Sequence, residues 1–429
     1  MKPNLQRPVQ TEFETSIRRA EGGFSNRSDV MRVVKDLAQA LATRTSDANQ
    51  RDKDLARVLP GATLFFAHLS QLSADEAHRR CAIHAADRCA ELVGRMPMQS
   101  SLYGGLAGMA WLFAHLERLG IGEMGMDLDP IDDLLMSSAA SDAVGPYDLI
   151  GGPVGLGVYF LEHLPAPTAR EGLRQVIRRL AEIAEHDERG MRWFTPRECV
   201  PPLQIAELPT GKYDLGMAHG VPGVIALLAL ALVHGADRQP AEQMLREAVR
   251  WMMGQRGPAA NGSVFGAAID PRSPGKRVPT RSAWCYGDPG VAASLALAAR
   301  ALDDPALLRD VRMLAHHAAK RAEVSSGAVD VSLCHGSAGL AHVFRMLGST
   351  LGDESLFSSA DTWYQRTLTM RRPAAEGVAG FVYMRRVGSD LRAEADPSFL
   401  EGAAGVGLSL LGAIDPASDR SWDRMLLLS

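Results

Sequence analysis

Basic charge is not in surplus in this chain. Its 46 Lys and Arg stand against 50 Asp and Glu, for a formal net charge of −4. No basic face for nucleic acid is advertised. Long apolar runs are missing too. The first 27 residues contain none, so a signal peptide is not expected. The longest, Val224–Val233, is about half a membrane span. Cysteine is scarce and odd in number, five residues, which argues against a disulfide framework and for reduced thiols in the cytoplasm. Disorder is excluded by 46% hydrophobic against 22% charged residues. Length is what the chain has in excess: 429 residues is too many for one ordinary compact domain unless the fold is a large ring or barrel.

The sequence repeats itself. GATLFFAHLSQL from Gly61 and GMAWLFAHLERL from Gly108 match at six of twelve positions. A G-x-x-G pair followed by an apolar run then recurs from Gly105, Gly152, Gly220, Gly287, Gly336 and Gly402, and with the partial copy at Gly61 that makes seven units. The runs after the glycines, such as VIALLALALV and VAASLALAARAL, are helical in length and apolar all round, so they are buried on every side. Between them lie amphipathic segments. In EGLRQVIRRLAEIAEHD, Leu173, Val176, Ile177, Leu180 and Ile183 form one stripe opposite Arg and Glu. Paired outer and inner helices make an open solenoid or a closed ring. Inner helices this apolar predict closure: an all-α, α/α toroid of about fourteen helices. Two segments break the period. Residues 187–215 read as an irregular or β-containing excursion on the rim. Residues 256–281, rich in Gly, Pro and Ser and carrying Lys276, Arg277 and Arg281, read as a long loop.

The register of the repeat carries the chemistry. Immediately before the first glycine stand Gly104, Gly151, His219, Tyr286, His335 and Glu401; one residue earlier stand Tyr103, Ile150, Ala218, Cys285, Cys334 and Leu400. Equivalent positions of a ring gather at one end. His219, Cys285-Tyr286 and Cys334-His335 thus converge, although the cysteines are 49 residues apart. Two cysteines and a histidine suit zinc, and three protein ligands leave a fourth position open. Two buried core cysteines beside a rim histidine is the competing reading at this point. Cys81, Cys89 and Cys199 read as buried or incidental, His68 and His115 as packing residues, and His316-His317 as solvated.

GMAHGVPG from Gly216, WCYGDPG from Trp284 and LCHGSAG from Leu333 resemble, in order, the three signature motifs of the lanthionine synthetase C-like cyclases. The resemblance runs through the late FLEGAAG repeat and covers nearly the whole chain, implying a single domain over 1–429. It implies an α/α toroid, in agreement with the repeats. It also implies one zinc held by Cys285, Cys334 and His335, with His219 as acid/base and Arg281, Tyr286 and Asp148 beside it. The activity it implies is Michael-type addition of a precursor peptide's cysteine thiol to dehydroalanine or dehydrobutyrine, closing a (methyl)lanthionine thioether ring. Zinc with two protein thiolates is formally neutral, which suits alkylation of a further sulfur. Two other readings remain in play, addition of glutathione or another small thiol to dehydrated residues, and a non-catalytic zinc-stabilised toroid that binds peptides. The implied partners are a dehydrated precursor peptide, a dehydratase and an export transporter. The implied location is cytoplasmic, or at the membrane periphery through those partners.

Overall fold

The computed structural model describes residues 27–47, 50–122, 127–141, 145–236, 238–259, 262–275, 279–321, 323–388 and 390–429. The N-terminal segment without an apolar run, and Lys276 and Arg277 of the long loop, lie outside the described residues. In chain order the long helices are α1 (Arg27–Thr45), α2 (Asp52–Ser73), α3 (Glu76–Arg95), α4 (Leu106–Arg118), α5 (Asp129–Ala139), α6 (Pro153–Glu162), α7 (Pro167–Glu182), α8 (Val221–Val233), α9 (Arg238–Met253), α10 (Asp288–Ala301) and α11 (Pro305–Ala319). After the four-residue α12 (Glu323–Ser326) come α13 (Ser337–Leu351), α14 (Glu354–Thr369) and α15 (Ala403–Ile414).

Seven of these form a closed inner ring. α2, α4, α6, α8, α10, α13 and α15 each pack on the next, and α15 returns to α2. α8 is buried from Val221 through Leu232, as an apolar run without a polar face requires. The amphipathic helices pack outside. α7 turns Leu173, Val176, Ile177 and Leu180 inward, and Ile183 falls at its C-cap. Six inner helices are each followed by their outer partner, but α15 has none after it. The first described helix, α1, packs on α15 and completes the seventh pair. Among the described residues the seven pairs supply the expected fourteen helices, and the inner seven close into a toroid. No helix among the described residues is long and apolar enough to cross a membrane.

The glycine pairs are explained by close approach. The first glycine is the N-cap of its inner helix. The preceding loop folds against the helix start, where its carbonyls receive first-turn amides, as Ala283 O receives Gly290 N and Ser332 O receives Gly339 N. These contacts satisfy groups that a helix terminus leaves unpaired. They also leave no room for a side chain: a Cβ at Gly339 would lie 1.9 Å from Leu333 O, and one at Gly290 would lie 2.0 Å from Trp284 O.

The turns are also joined to one another. Tyr103 N donates to Ile150 O, Leu149 N to Ala218 O, Ala218 N to Cys285 O, Cys285 N to Cys334 O and Cys334 N to Leu400 O, over 3.0–3.5 Å. This belt brings together the positions that the register placed at one end of the ring.

Short strands decorate that end. β1 (Glu185–Asp187) pairs with β2 (Gly190–Arg192). β3 (Thr195–Pro196), β4 (Gly211–Asp214) and β5 (Ala268–Ile269) form a three-stranded antiparallel sheet that ties the rim excursion to the long loop. A hairpin that the helical period did not anticipate, β6 (Tyr383–Val387) with β7 (Asp390–Glu394), rises before α15.

Two glycine substitutions should have opposite signs. Gly339→Ala forces its methyl into a backbone carbonyl and should destabilise by about 1–3 kcal/mol, the usual cost of overpacking. Gly94→Ala, on an exposed face of α3 with nothing within 4 Å, should stabilise by up to about 1 kcal/mol through helix propensity. Urea titrations followed by circular dichroism compare the two; equal midpoints would refute the close-approach account.

Candidate active site

Cys285, Cys334 and His335 come together at the belt, each offering a ligand atom, all within 4.8 Å of one another. Cys285 is buried and Cys334 half-buried, while the His335 side chain is 14% exposed. In this setting the thiol of Cys334 donates to Cys285, which outweighs burial and, with His335, holds Cys285 well below an ordinary thiol. The same hydrogen bond, burial and the charge of Glu401 push Cys334 well above it. A thiolate, a thiol and an imidazole facing one another in a buried spot form a donor set that fits a borderline cation such as zinc and not a hard, oxygen-seeking one. Asp330 Oδ2 lies 3.8 Å from His335 Nε2, the placement of an outer-shell carboxylate. The ring of Tyr383, from β6, stands edge-on to His335 at 5.8 Å, and its hydroxyl donates to Glu401 at 3.1 Å.

His219 lies on the preceding turn and Asp148 on the turn before that. His219 Nδ1 is 2.6 Å from Asp148 Oδ2, and Asp148 Oδ1 is held by the amides of Ile150 and Gly151. The imidazole is 44% exposed, yet its surroundings still oppose its charge. Burial lowers its pKa, but the hydrogen bond and charge of Asp148, helped by Asp214, outweigh this and raise it above the ordinary value. With Nδ1 engaged, Nε2 is the nitrogen left to exchange protons. Tyr286 lies against His219, ring centroids 6.2 Å apart. Its hydroxyl donates to Asp214 at 2.7 Å.

The structure thus joins Asp148, His219 and Tyr286 in one network, next in sequence and space to the Cys285, Cys334 and His335 cluster. Arg281 stands at the exposed edge, near enough for its charge to favour the thiolate of Cys285 and to oppose protonation of His335.

Asp214, Lys212, Asp330 and Tyr383 were not singled out from the sequence. A signal for two of them was there: six residues before the first glycine stand Gln99, Pro146, Asp214, Arg281, Asp330 and Asp396. Arg281 occupies the place that three other turns give to aspartate. Tyr383 carried no such signal, because it belongs to the unanticipated hairpin. The inner helices begin at this rim, so their positive ends face the site, but many of their first-turn amides are already taken by loop carbonyls.

The other candidates do not join the Cys285, Cys334 and His335 cluster, although Cys199 is near enough to Asp148 for that charge, after burial, to raise its thiol. Cys89 is fully buried, and burial pushes its thiol up to about 12. His68 and His115 are buried with Nε2 atoms 3.0 Å apart, and His115 Nδ1 is 2.8 Å from Glu162. His316 is not simply solvated; its Nε2 is 2.8 Å from Asp353.

A protein-family model described as Lanthionine synthetase C-like protein matches residues 49–427. No curated protein matches the sequence. Among solved structures, nisin cyclase superposes with a TM-score of 0.73 at 19% identity, over 93% of this chain and 98% of that one. A sugar epimerase from a ruminal bacterium superposes with a TM-score of 0.51 at 10% identity, over 92% and 99%. At these identities both likenesses concern the fold, an α/α toroid.

Purified protein should carry about one equivalent of zinc, and Cys285→Ala should lose most of it. Far-UV circular dichroism should change little, because the helical core does not depend on one rim metal. Metal analysis that finds Cys285→Ala fully loaded would remove Cys285 from the ligand set.

Proposed function

The chain belongs to the lanthionine synthetase C-like family, and on that premise we propose that it is a lanthipeptide cyclase that adds cysteine thiols to dehydrated residues of a precursor peptide. The observation that carries this reading is the juxtaposition of a Cys₂His cluster with an Asp-oriented histidine on the adjacent turn. Zinc, held by Cys285, Cys334 and His335, would supply the Lewis acidity that makes a thiol available as thiolate at neutral pH.

The remaining work falls to the chain's own groups. As sulfur bonds to the β-carbon of dehydroalanine or dehydrobutyrine, the electrons of the double bond move toward the carbonyl as an enolate. Arg281, permanently charged at the edge of the site, offsets that negative charge. His219 then delivers the proton from Nε2 to the α-carbon, while Asp148 accepts its Nδ1–H and holds the ring in one orientation. The proton that left the thiol replaces the one His219 gave up, so the addition needs no other reactant. The substrate implied is a dehydrated peptide, so a dehydratase acts before this enzyme and an export transporter after it. The free state of the five cysteines suits a reducing, cytoplasmic setting.

His219→Ala should keep its zinc and lose ring formation by roughly 10²–10⁴-fold, the usual contribution of general acid–base catalysis. The assay compares ring-closure rates by loss of reactive thiols at unchanged peptide mass. A mass increase in the presence of glutathione would mark small-thiol addition instead, and release of metal by His219→Ala would make His219 a ligand. A second outcome concerns pH. The acid form of His219 is present below its raised pKa and is lost as pH climbs through it, so the rate should fall on the alkaline side. In Asp148→Asn, burial is no longer outweighed, the pKa drops, and that limb should move to lower pH. An unmoved limb in the kcat/KM profile would detach Asp148 from His219.

A further inference from the structure

We infer that Asp214, clamped by Lys212, is a positioning residue that fixes the Tyr286 hydroxyl so that it offers the site a lone pair and not a proton. The inference rests on the cyclase reading above.

Asp214 is fully buried, and both its oxygens are used. Oδ1 accepts the Gly216 amide at 2.8 Å. Oδ2 lies 2.7 Å from the Lys212 ammonium and accepts the Tyr286 hydroxyl at 2.7 Å. Lys212, also buried, donates to Gln204 Oε1 at 3.0 Å, and its Nζ lies 5.8 Å from the centre of the Tyr286 ring. The pair comes from strand alternation: on β4, Lys212 and Asp214 point to one face, while Tyr213 between them points to the other and donates to Glu185 at 2.7 Å. Gly216 completes the seat, since a Cβ there would meet the Tyr286 ring at 2.6 Å. A buried carboxylate alone would be costly, and the ammonium beside it offsets part of that cost.

A phenol has one proton. With that proton held by Asp214, Tyr286 has only oxygen lone pairs to offer a substrate, and their complement is an N–H group. A dehydroalanine or dehydrobutyrine within a peptide carries one N–H, its own backbone amide. Tyr286 therefore receives the amide of the residue under attack and leaves proton delivery to His219. This contact exists before and during the reaction, so it contributes to substrate binding more than to the chemical step.

The test is a kinetic comparison of Asp214→Asn, Tyr286→Phe and their double variant on dehydrated peptide. In Asp214→Asn a single carboxamide oxygen cannot serve the Gly216 amide, the Lys212 ammonium and the phenol together, so Tyr286 loses its fixed acceptor and its proton is free to turn into the site. Assayed below the alkaline limb, because the charge of Asp214 also helps to raise His219, each single variant should raise KM about tenfold, the worth of one hydrogen bond, with kcat and zinc content nearly unchanged, and the double variant should be no worse than the poorer single. Losses that multiply, a KM that does not move, or a loss confined to kcat would each overturn the inference. Wild-type protein that closes no ring would overturn the cyclase reading instead. Should Asp214→Asn not fold, Lys212→Met/Asp214→Ser removes both charges together, which buried ion pairs tolerate best, and supports the same comparison with and without Tyr286→Phe.

Discussion

The belt of backbone hydrogen bonds between successive turns holds the rest of the site in place. Cys285 N–H bonds to Cys334 O, Ala218 N–H to Cys285 O and Leu149 N–H to Ala218 O, so the four turns that carry Cys334, Cys285, His219 and Asp148 are joined by their main chains. A backbone contact of this kind fixes Cα positions and leaves side chains little freedom to drift. The thiols, imidazoles and carboxylate meet because their turns meet. The glycines make this possible by admitting the loop carbonyls against the helix starts, where any Cβ would collide.

Electrostatics divides the site in two. On one side burial opposes charge, and the hydrogen bond from Cys334, with His335 and Arg281, holds Cys285 well below an ordinary thiol. On the other, Asp148 outweighs burial and raises His219 above its ordinary value. Two cationic groups flank them: Arg281 at the exposed edge, whose charge favours the Cys285 thiolate, and Lys212 inside, committed to Asp214. A thiol held low and an imidazole held high thus stand on neighbouring turns, because each has its own counter-group.

The ring is filled from within by the end of the chain. Trp422, Met425, Leu426, Leu427 and Leu428 are buried. Trp284, next to Cys285, donates from Nε1 to Leu426 O at 2.9 Å, and Tyr103 donates from its hydroxyl to Met425 O at 2.6 Å. Asp423 lies 2.8 Å from His342, and Arg424 lies 3.0 Å from Glu162. The contacts reach α13, α6 and the turns before α4 and α10, on different sides of the ring. Burial of this apolar segment supplies the hydrophobic interior that a ring of helices lacks along its axis, and it leaves the belt end as the face for chemistry.

By itself the sequence determined the seven units, the inner and outer helices, the all-α toroid and the register that sends His219, Cys285, Cys334 and His335 to one end. Those conclusions rest on local rules, helical periodicity and glycine spacing, that repeat identically along the chain. The LanC-like motifs added Asp148 and Arg281, and a role for Tyr286, which the register had already brought to that end. What the tertiary structure decided is how these residues engage one another. That Tyr286 gives its proton to Asp214, that Tyr383 reaches His335 from an unanticipated hairpin, and that α1 completes the pair begun by α15 depend on contacts between residues far apart in the chain. Side-chain hydrogen bonds have direction and a reach of about 3 Å, so a register accurate to one residue still leaves donor and acceptor unassigned until the ring has closed.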